Sequence, residues 1–154
     1  GFRGLLFQIK KKKKSWNQRI ATVEANGIAG LSASVMPNWF TAAFRAGRSE
    51  ELAGYRAMLE RQSPTGYMAT CAAIRDADLR EKARQIGVPA ICIVGDEDGS
   101  TPVETVAGLA KSIPGSRFEI ISGAGHLPCV ETPERLADII LVFIGGLENR
   151  VTLN

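Results

Sequence analysis

The chain has 154 residues, 45% of them apolar, enough for one domain with a core, since a domain of this size buries roughly 70% of its unfolded surface. The net charge of +3 is unevenly spread: residues 1–14 hold Arg3 and Lys10 to Lys14 with no acid, while the rest carries 13 basic and 16 acidic groups. A mildly acidic body and a lysine run without interleaved aromatics exclude nucleic acid as a specific partner, and no apolar run approaches the ~18 residues that cross a bilayer.

No charged-then-apolar leader opens the sequence, so a cytoplasmic location is expected. Cys71, Cys92 and Cys129 are odd in number and lie 21 and 37 residues apart. That spacing fits neither a disulfide framework nor paired metal ligands, so core-filling thiols are expected.

From Ser15 to about Arg84 the pattern predicts helices with short breaks. Ser15 is expected to cap a helix beginning at Trp16 that stops at Asn26-Gly27. Ile28 to Met36 is expected as a second helix, ended by Pro37. Ser49 then caps a helix with Glu50 and Glu51 in its first turn, where the helix dipole favours acids. Ser63-Pro64 is a stop, and Thr65 caps a helix through Tyr67, Cys71 and Ile74, with the charged Asp76 to Arg84 as its continuation. After Gly87 the character changes: Val88 to Val94 reads as a parallel strand covered on both faces. Pro102 to Ile113 reads as a helix, Arg117 to Ile121 as a second strand, Ser122 to Pro128 as a loop, and Pro133 to Phe143 as a final helix.

The chemistry sits at the ends of the two strands. The first runs into Gly95-Asp96-Glu97-Asp98-Gly99-Ser100-Thr101-Pro102. The second runs into Ser122-Gly123-Ala124-Gly125-His126-Leu127-Pro128, which holds the only histidine of the chain. A strand-helix-strand unit brings both loops to one sheet edge, where open α/β sheets place their sites. A neutral imidazole can take a proton near neutral pH, and a carboxylate on its other nitrogen fixes the tautomer. An isolated acid and histidine would read as a helix cap beside a packed ring; here their order, with the histidine 28 positions after the acid, matches the acid and base of a Ser…Asp…His triad. Asp98 is the expected acid, with Asp96 in reserve, and His126 the expected base.

The segment from Gly66 to Arg80 (Gly-Tyr-Met-Ala-Thr-Cys-Ala-Ala-Ile-Arg-Asp-Ala-Asp-Leu-Arg), preceded by Trp39-Phe40-Thr41 and Tyr55-Arg56-x-Met58-Leu59, resembles the cap signature of the 3-oxoadipate enol-lactonases. The Asp98 and His126 phrases resemble α/β-hydrolases generally. The resemblance covers Ser15 to about Leu147. It implies a partial α/β-hydrolase fold, in which a helical cap segment is followed by the last two parallel strands and helices of the core. The implied divisions are a basic N-terminal segment at 1–14, the cap at 15–86, the C-terminal part of the core at 87–147 and a tail at 148–154. It also implies a small-molecule lactone substrate, hydrolysis of 3-oxoadipate enol-lactone in aromatic breakdown, no metal or organic cofactor, and a substrate-facing Trp16. Arg19, Arg56 and Arg75 are candidate partners for a substrate carboxylate, and none is preferred.

Gly-x-Ser-x-Gly, the nucleophile elbow of this superfamily, occurs nowhere in the 154 residues; Gly30-Leu31-Ser32-Ala33-Ser34 is the nearest string, and Ser32 in a helical stretch is expected to be structural. Residues 1–14 do not resemble the family, and five successive lysines suggest a frameshifted or truncated reading frame. The remaining readings are an esterase or haloperoxidase-like enzyme of the same superfamily and an inactive fragment. A separate N-terminal half, or self-association, would complete the fold, and residues 1–14 are expected to pack weakly.

Overall fold

A computed structural model describes residues 2–151, with side chains for 13–147. The chain divides into two units, one made of residues 1–36 and 49–78, the other of 37–48 and 79–154. The stretch 37–48, which lies inside the implied cap, packs with the C-terminal unit.

In the first unit α1 spans Phe2–Asn26. Ser15 is thus an interior residue and not a cap, because the lysines before it are good helix formers and the helix is already running when it reaches Ser15. The expected weak packing of residues 1–14 falls largely outside the described side chains; Lys13 and Lys14 are exposed, with Lys13 Nζ 3.6 Å from Asp76. Gly27, at a positive φ of 67°, ends α1.

Helix α2 (Ala29–Trp39) runs through Pro37 instead of ending before it; close to a helix end the missing proline N–H removes one bond without breaking the helix. Helix α3 (Ala42–Gly47), which sequence periodicity did not reveal, belongs to the second unit, with Thr41 as its cap. Helix α4 (Ser49–Glu60) begins with its two acids in the first turn. Helix α5 (Pro64–Asp76) starts one residue before Thr65: Ser63 is the cap, its side chain accepting from Gly66 N–H, and Pro64 takes the first helical position.

Helices α1 and α5 pack together, with Arg19 Nη1 donating to Tyr67 Oη at 3.3 Å and Arg75 Nη1 to Asn17 Oδ1 at 2.8 Å. Val23, Leu31, Val35 and Cys71 are buried in this unit. Burial pushes the Cys71 thiol above its ordinary value, as befits a neutral core-filling group.

The second unit carries the sheet. After α6 (Arg80–Ala83), a separate short helix rather than a continuation of α5, come β1 (Ile91–Gly95), α7 (Val103–Ser112), β2 (Arg117–Ile121), α8 (Pro128–Glu131) and α9 (Pro133–Val151). The two strands pair in parallel, from Ile91 opposite Arg117 to Gly95 opposite Ile121. Strand β1 starts at Ile91 and not at Val88 because Pro89 has no N–H to give a ladder; pairing begins with Arg117 N–H to Ala90 O at 2.9 Å.

Alternation along β1 sends Cys92 to a cluster with Ala83, Ala110, Ile113 and Phe118, and Ile91 and Ile93 to another with Ile121, Ala124, Ile139 and Leu136. Helix α7 therefore covers one face and α9 the other, as a parallel sheet requires. Ile140, Leu141, Val142 and Ile144 of α9 are exposed. Among the described residues, no helix is long and apolar enough to cross a membrane.

Candidate active site

The loops after β1 and β2 are bonded to each other directly. Asp96 N–H donates to Ile121 O and Glu97 N–H to Ala124 O, each at 3.0 Å. Asp96 Oδ1 accepts from Gly123 N–H at 2.7 Å, and its Oδ2 from Ser122 Oγ at 3.0 Å. Burial alone would raise the Asp96 carboxyl, but these bonds hold it below the ordinary carboxylate value. Asp96 thus fixes the second loop and does not touch the histidine.

Gly95 allows this proximity. A Cβ there would lie 2.1 Å from Ala124 O and 2.4 Å from Gly125 O, so only glycine lets the two backbones meet. Gly123 turns at a φ of 70°. These contacts account for the small residues before His126.

Asp98, two residues beyond Asp96, is the partner of His126. Its Oδ2 lies 2.9 Å from His126 Nδ1. The same oxygen accepts from Thr101 Oγ1 at 2.7 Å, and Oδ1 accepts from the Ser100 and Thr101 N–H groups at 2.7 and 2.8 Å. Asp98 is only 4% exposed at its side chain, whereas the imidazole is 33% exposed. Burial pushes the Asp98 carboxyl up, but hydrogen bonds from His126, Thr101 and Ser100 outweigh it and leave the group below its ordinary value.

An ionised carboxylate only accepts, so the hydrogen in this contact must sit on His126 Nδ1. In the neutral ring Nε2 then carries the lone pair, and it has no hydrogen bond among the described residues. An arrangement with the tautomer set and Nε2 open on this side could serve as a base.

Thr101 is a residue of the candidate site to which the sequence reading gave no role. Its N–H and hydroxyl both serve Asp98, and the hydroxyl lies 3.3 Å from His126 Nδ1. Trp16 belongs to the first unit, half-buried with the Arg19 guanidinium 5.1 Å from its ring centroid. The three candidate arginines are all engaged: Arg19 with Tyr67, Arg56 Nε with Glu60 at 2.8 Å and Ser32 at 3.1 Å, and Arg75 with Asp76 and Asn17. Ser32 is fully buried and its hydroxyl bonds Glu60 and Ala29 O. Among the described residues no group of three or more His, Cys, Asp or Glu could hold a metal ion.

No protein-family model matches the chain. It is 34% identical over 134 residues to 3-oxoadipate enol-lactonase 1 of Acinetobacter baylyi, a match covering 86% of this chain and 50% of that protein. To 3-oxoadipate enol-lactonase 2 of the same organism it is 28% identical over 79% of the chain and 45% of the relative. The enol-lactonase from Burkholderia xenovorans superposes with a TM-score of 0.82 at 30% identity, over 86% of this chain and 50% of that one. A thermophilic esterase from Thermogutta terrifontis, at 0.79 and 24% identity over 88% of this chain and 50% of its own, shares the fold. The chain spans about half the length of the curated relatives it matches. Its fold is part of the α/β-hydrolase fold, and its sequence is similar to those of the 3-oxoadipate enol-lactonases.

Proposed function

We propose that this chain supplies the acid and the base for hydrolysis of a lactone ester, with His126 as general base and Asp98 as its orienting acid. The observation that carries the reading is the 2.9 Å contact between a buried, ionised carboxylate and a partly open imidazole at two adjoining strand ends. In that chemistry Nε2 takes the proton of a serine hydroxyl as its oxygen bonds the lactone carbonyl carbon. Asp98 stabilises the imidazolium so formed, and the same proton passes to the ring oxygen as the C–O bond breaks. Water then repeats the sequence on the acyl-serine, releasing the hydroxy or enol acid.

The 154 residues hold no Gly-x-Ser-x-Gly, so the reading needs a nucleophile elbow and oxyanion donors from polypeptide outside them. The exposed apolar residues of α9 and the outer edge of β1, which pairs with no strand among the described residues, suit such a segment. Similarity to two enol-lactonases supports 3-oxoadipate enol-lactone as the substrate. A methyl-ester substrate is the second reading, favoured by 28% identity over 47% of the chain to a pimeloyl-[acyl-carrier protein] methyl ester esterase of Aeromonas salmonicida. Assaying both esters with the chain and a co-expressed serine-bearing segment separates them: hydrolysis of the lactone in preference to a methyl ester supports the first, and the reverse order rejects it.

A further inference from the structure

We propose that Glu131 is the positioning residue for His126, an inference that rests on reading His126 as the base. Glu131 closes α8, five residues after the histidine. Its Oε1 accepts from Thr41 N–H at 2.9 Å and from Thr41 Oγ1 at 2.7 Å, and its Oε2 accepts from Gly125 N–H at 2.6 Å. One carboxylate thus joins the peptide just before His126 to a chain segment 90 residues away in sequence.

That segment makes a further bond of its own. His126 N–H donates to Trp39 O at 2.9 Å. A Cβ on Gly125 would lie 2.6 Å from Trp39 O and 2.7 Å from Glu131 Oε2, so backbone, carboxylate and loop are in close contact at this point. On its other side the 124–125 backbone rests on Gly95. The backbone of 124–126 is therefore held by Glu97 N–H on Ala124 O, by Trp39 O on His126 N–H and by Glu131 on Gly125 N–H, and of these groups only Glu131 acts through its side chain. Thr41 is itself fixed, buried and capping α3 through Phe44 N–H at 3.1 Å.

A carboxylate suits this role because both its oxygens only accept. An amide in its place would turn an NH2 towards either Gly125 N–H or Thr41 N–H, leaving one donor facing another. Once the backbone of 124–126 slackens, the ring loses the position from which Nδ1 meets Asp98.

The single histidine makes the test direct. Long-range 1H–15N spectra of the labelled 154-residue chain report the tautomer of His126 without assignment ambiguity. The wild-type chain is expected to show the Nδ1–H form, and Glu131→Gln a mixture in which Nε2–H is populated, with Asp98→Asn as the benchmark for complete loss. In the chain paired with a serine-bearing segment, Glu131→Gln should lower kcat about 10- to 100-fold with KM little changed, the signature of a misplaced catalytic group. A role in folding alone would lower the denaturation midpoint while leaving the folded molecules' tautomer intact, and that result overturns the proposal. Should Glu131→Ala fail to fold, the near-isosteric Glu131→Gln decides. Failure of the base reading looks different: Glu131 variants would still alter the tautomer, yet His126→Ala would leave turnover untouched.

Discussion

Replacing Gly95 by alanine probes the contact on which the whole site is built. The added Cβ would meet Ala124 O at 2.1 Å, Gly125 O at 2.4 Å and Ala124 C at 2.5 Å, where ordinary contact begins at 3.4 Å. All three are backbone atoms, so no rotamer change relieves the clash, and the two loops must part by about 1 Å in a closely packed interior. That movement carries the Asp98–His126 contact from 2.9 Å beyond hydrogen-bonding reach. Overpacking of this kind costs about 1–3 kcal/mol, and a lost hydrogen bond to a charged group about 1.5–3 kcal/mol. Because one displacement causes both, the expected loss is about 2–4 kcal/mol rather than their full sum. Urea denaturation followed by far-UV circular dichroism should show a lower midpoint at unchanged slope, a drop of about 1–2 M for a typical slope of a small domain. The His126 Nδ1–H resonance should be lost with it. A variant with the wild-type midpoint and an unaltered His126 resonance would refute the reasoning.

Other substitutions test single links. Asp98 sits below its ordinary value in the folded state, so its contribution is fully present above the unfolded carboxylate range and is lost as pH falls through the depressed folded value; denaturation midpoints measured from pH 6 downwards should fall less steeply for Asp98→Asn than for the wild type. Asp96→Ala should loosen the Ser122–Gly123 turn, seen as faster amide exchange at Gly123, while leaving the His126 tautomer as Nδ1–H; a switch of tautomer would make Asp96 the acid. Ser32→Ala should leave turnover of the paired chain unchanged, because that hydroxyl is committed to Glu60 and Ala29; abolished turnover in a folded variant would make Ser32 the nucleophile. Sedimentation should show the isolated chain self-associating through exposed Leu141 and Val142, with Leu141→Lys shifting it towards monomer and an unchanged distribution contradicting that role for α9.

Much of the site was legible because it depends on local grammar. Strand β2 has the bounds that its residues suggest, and α7 starts where Pro102 allows. The acid and the histidine follow from strand-helix-strand order, since a parallel pair must release both loops at one edge. What stayed hidden depends on contacts distant in sequence. Nothing in Glu131 itself announces that it reaches Thr41, and Trp39-Phe40-Thr41 read as cap because motif order says nothing of which unit a short stretch joins. Helices α3 and α8, of six and four residues, are too short for a periodic signal. Ser63-Pro64 read as a stop and Thr65 as the cap, and only the hydrogen bond from Gly66 N–H marks Ser63 as the cap. Thr101 could have been found from sequence, because a hydroxyl residue three positions after an acid at a helix start is a recurrent hydrogen-bonding pattern.

The most direct test of the central claim is lactone hydrolysis by the 154-residue chain, alone and co-purified with a segment bearing a Gly-x-Ser-x-Gly elbow, each with wild-type His126 and with His126→Ala. Without a nucleophile the acid and base have nothing to activate, so the chain alone should match background, the pair should turn over, and His126→Ala should remove most of that rate, by about 1,000-fold or more. Turnover by the chain alone that disappears with His126→Ala, or turnover by the pair that survives it, would contradict the account.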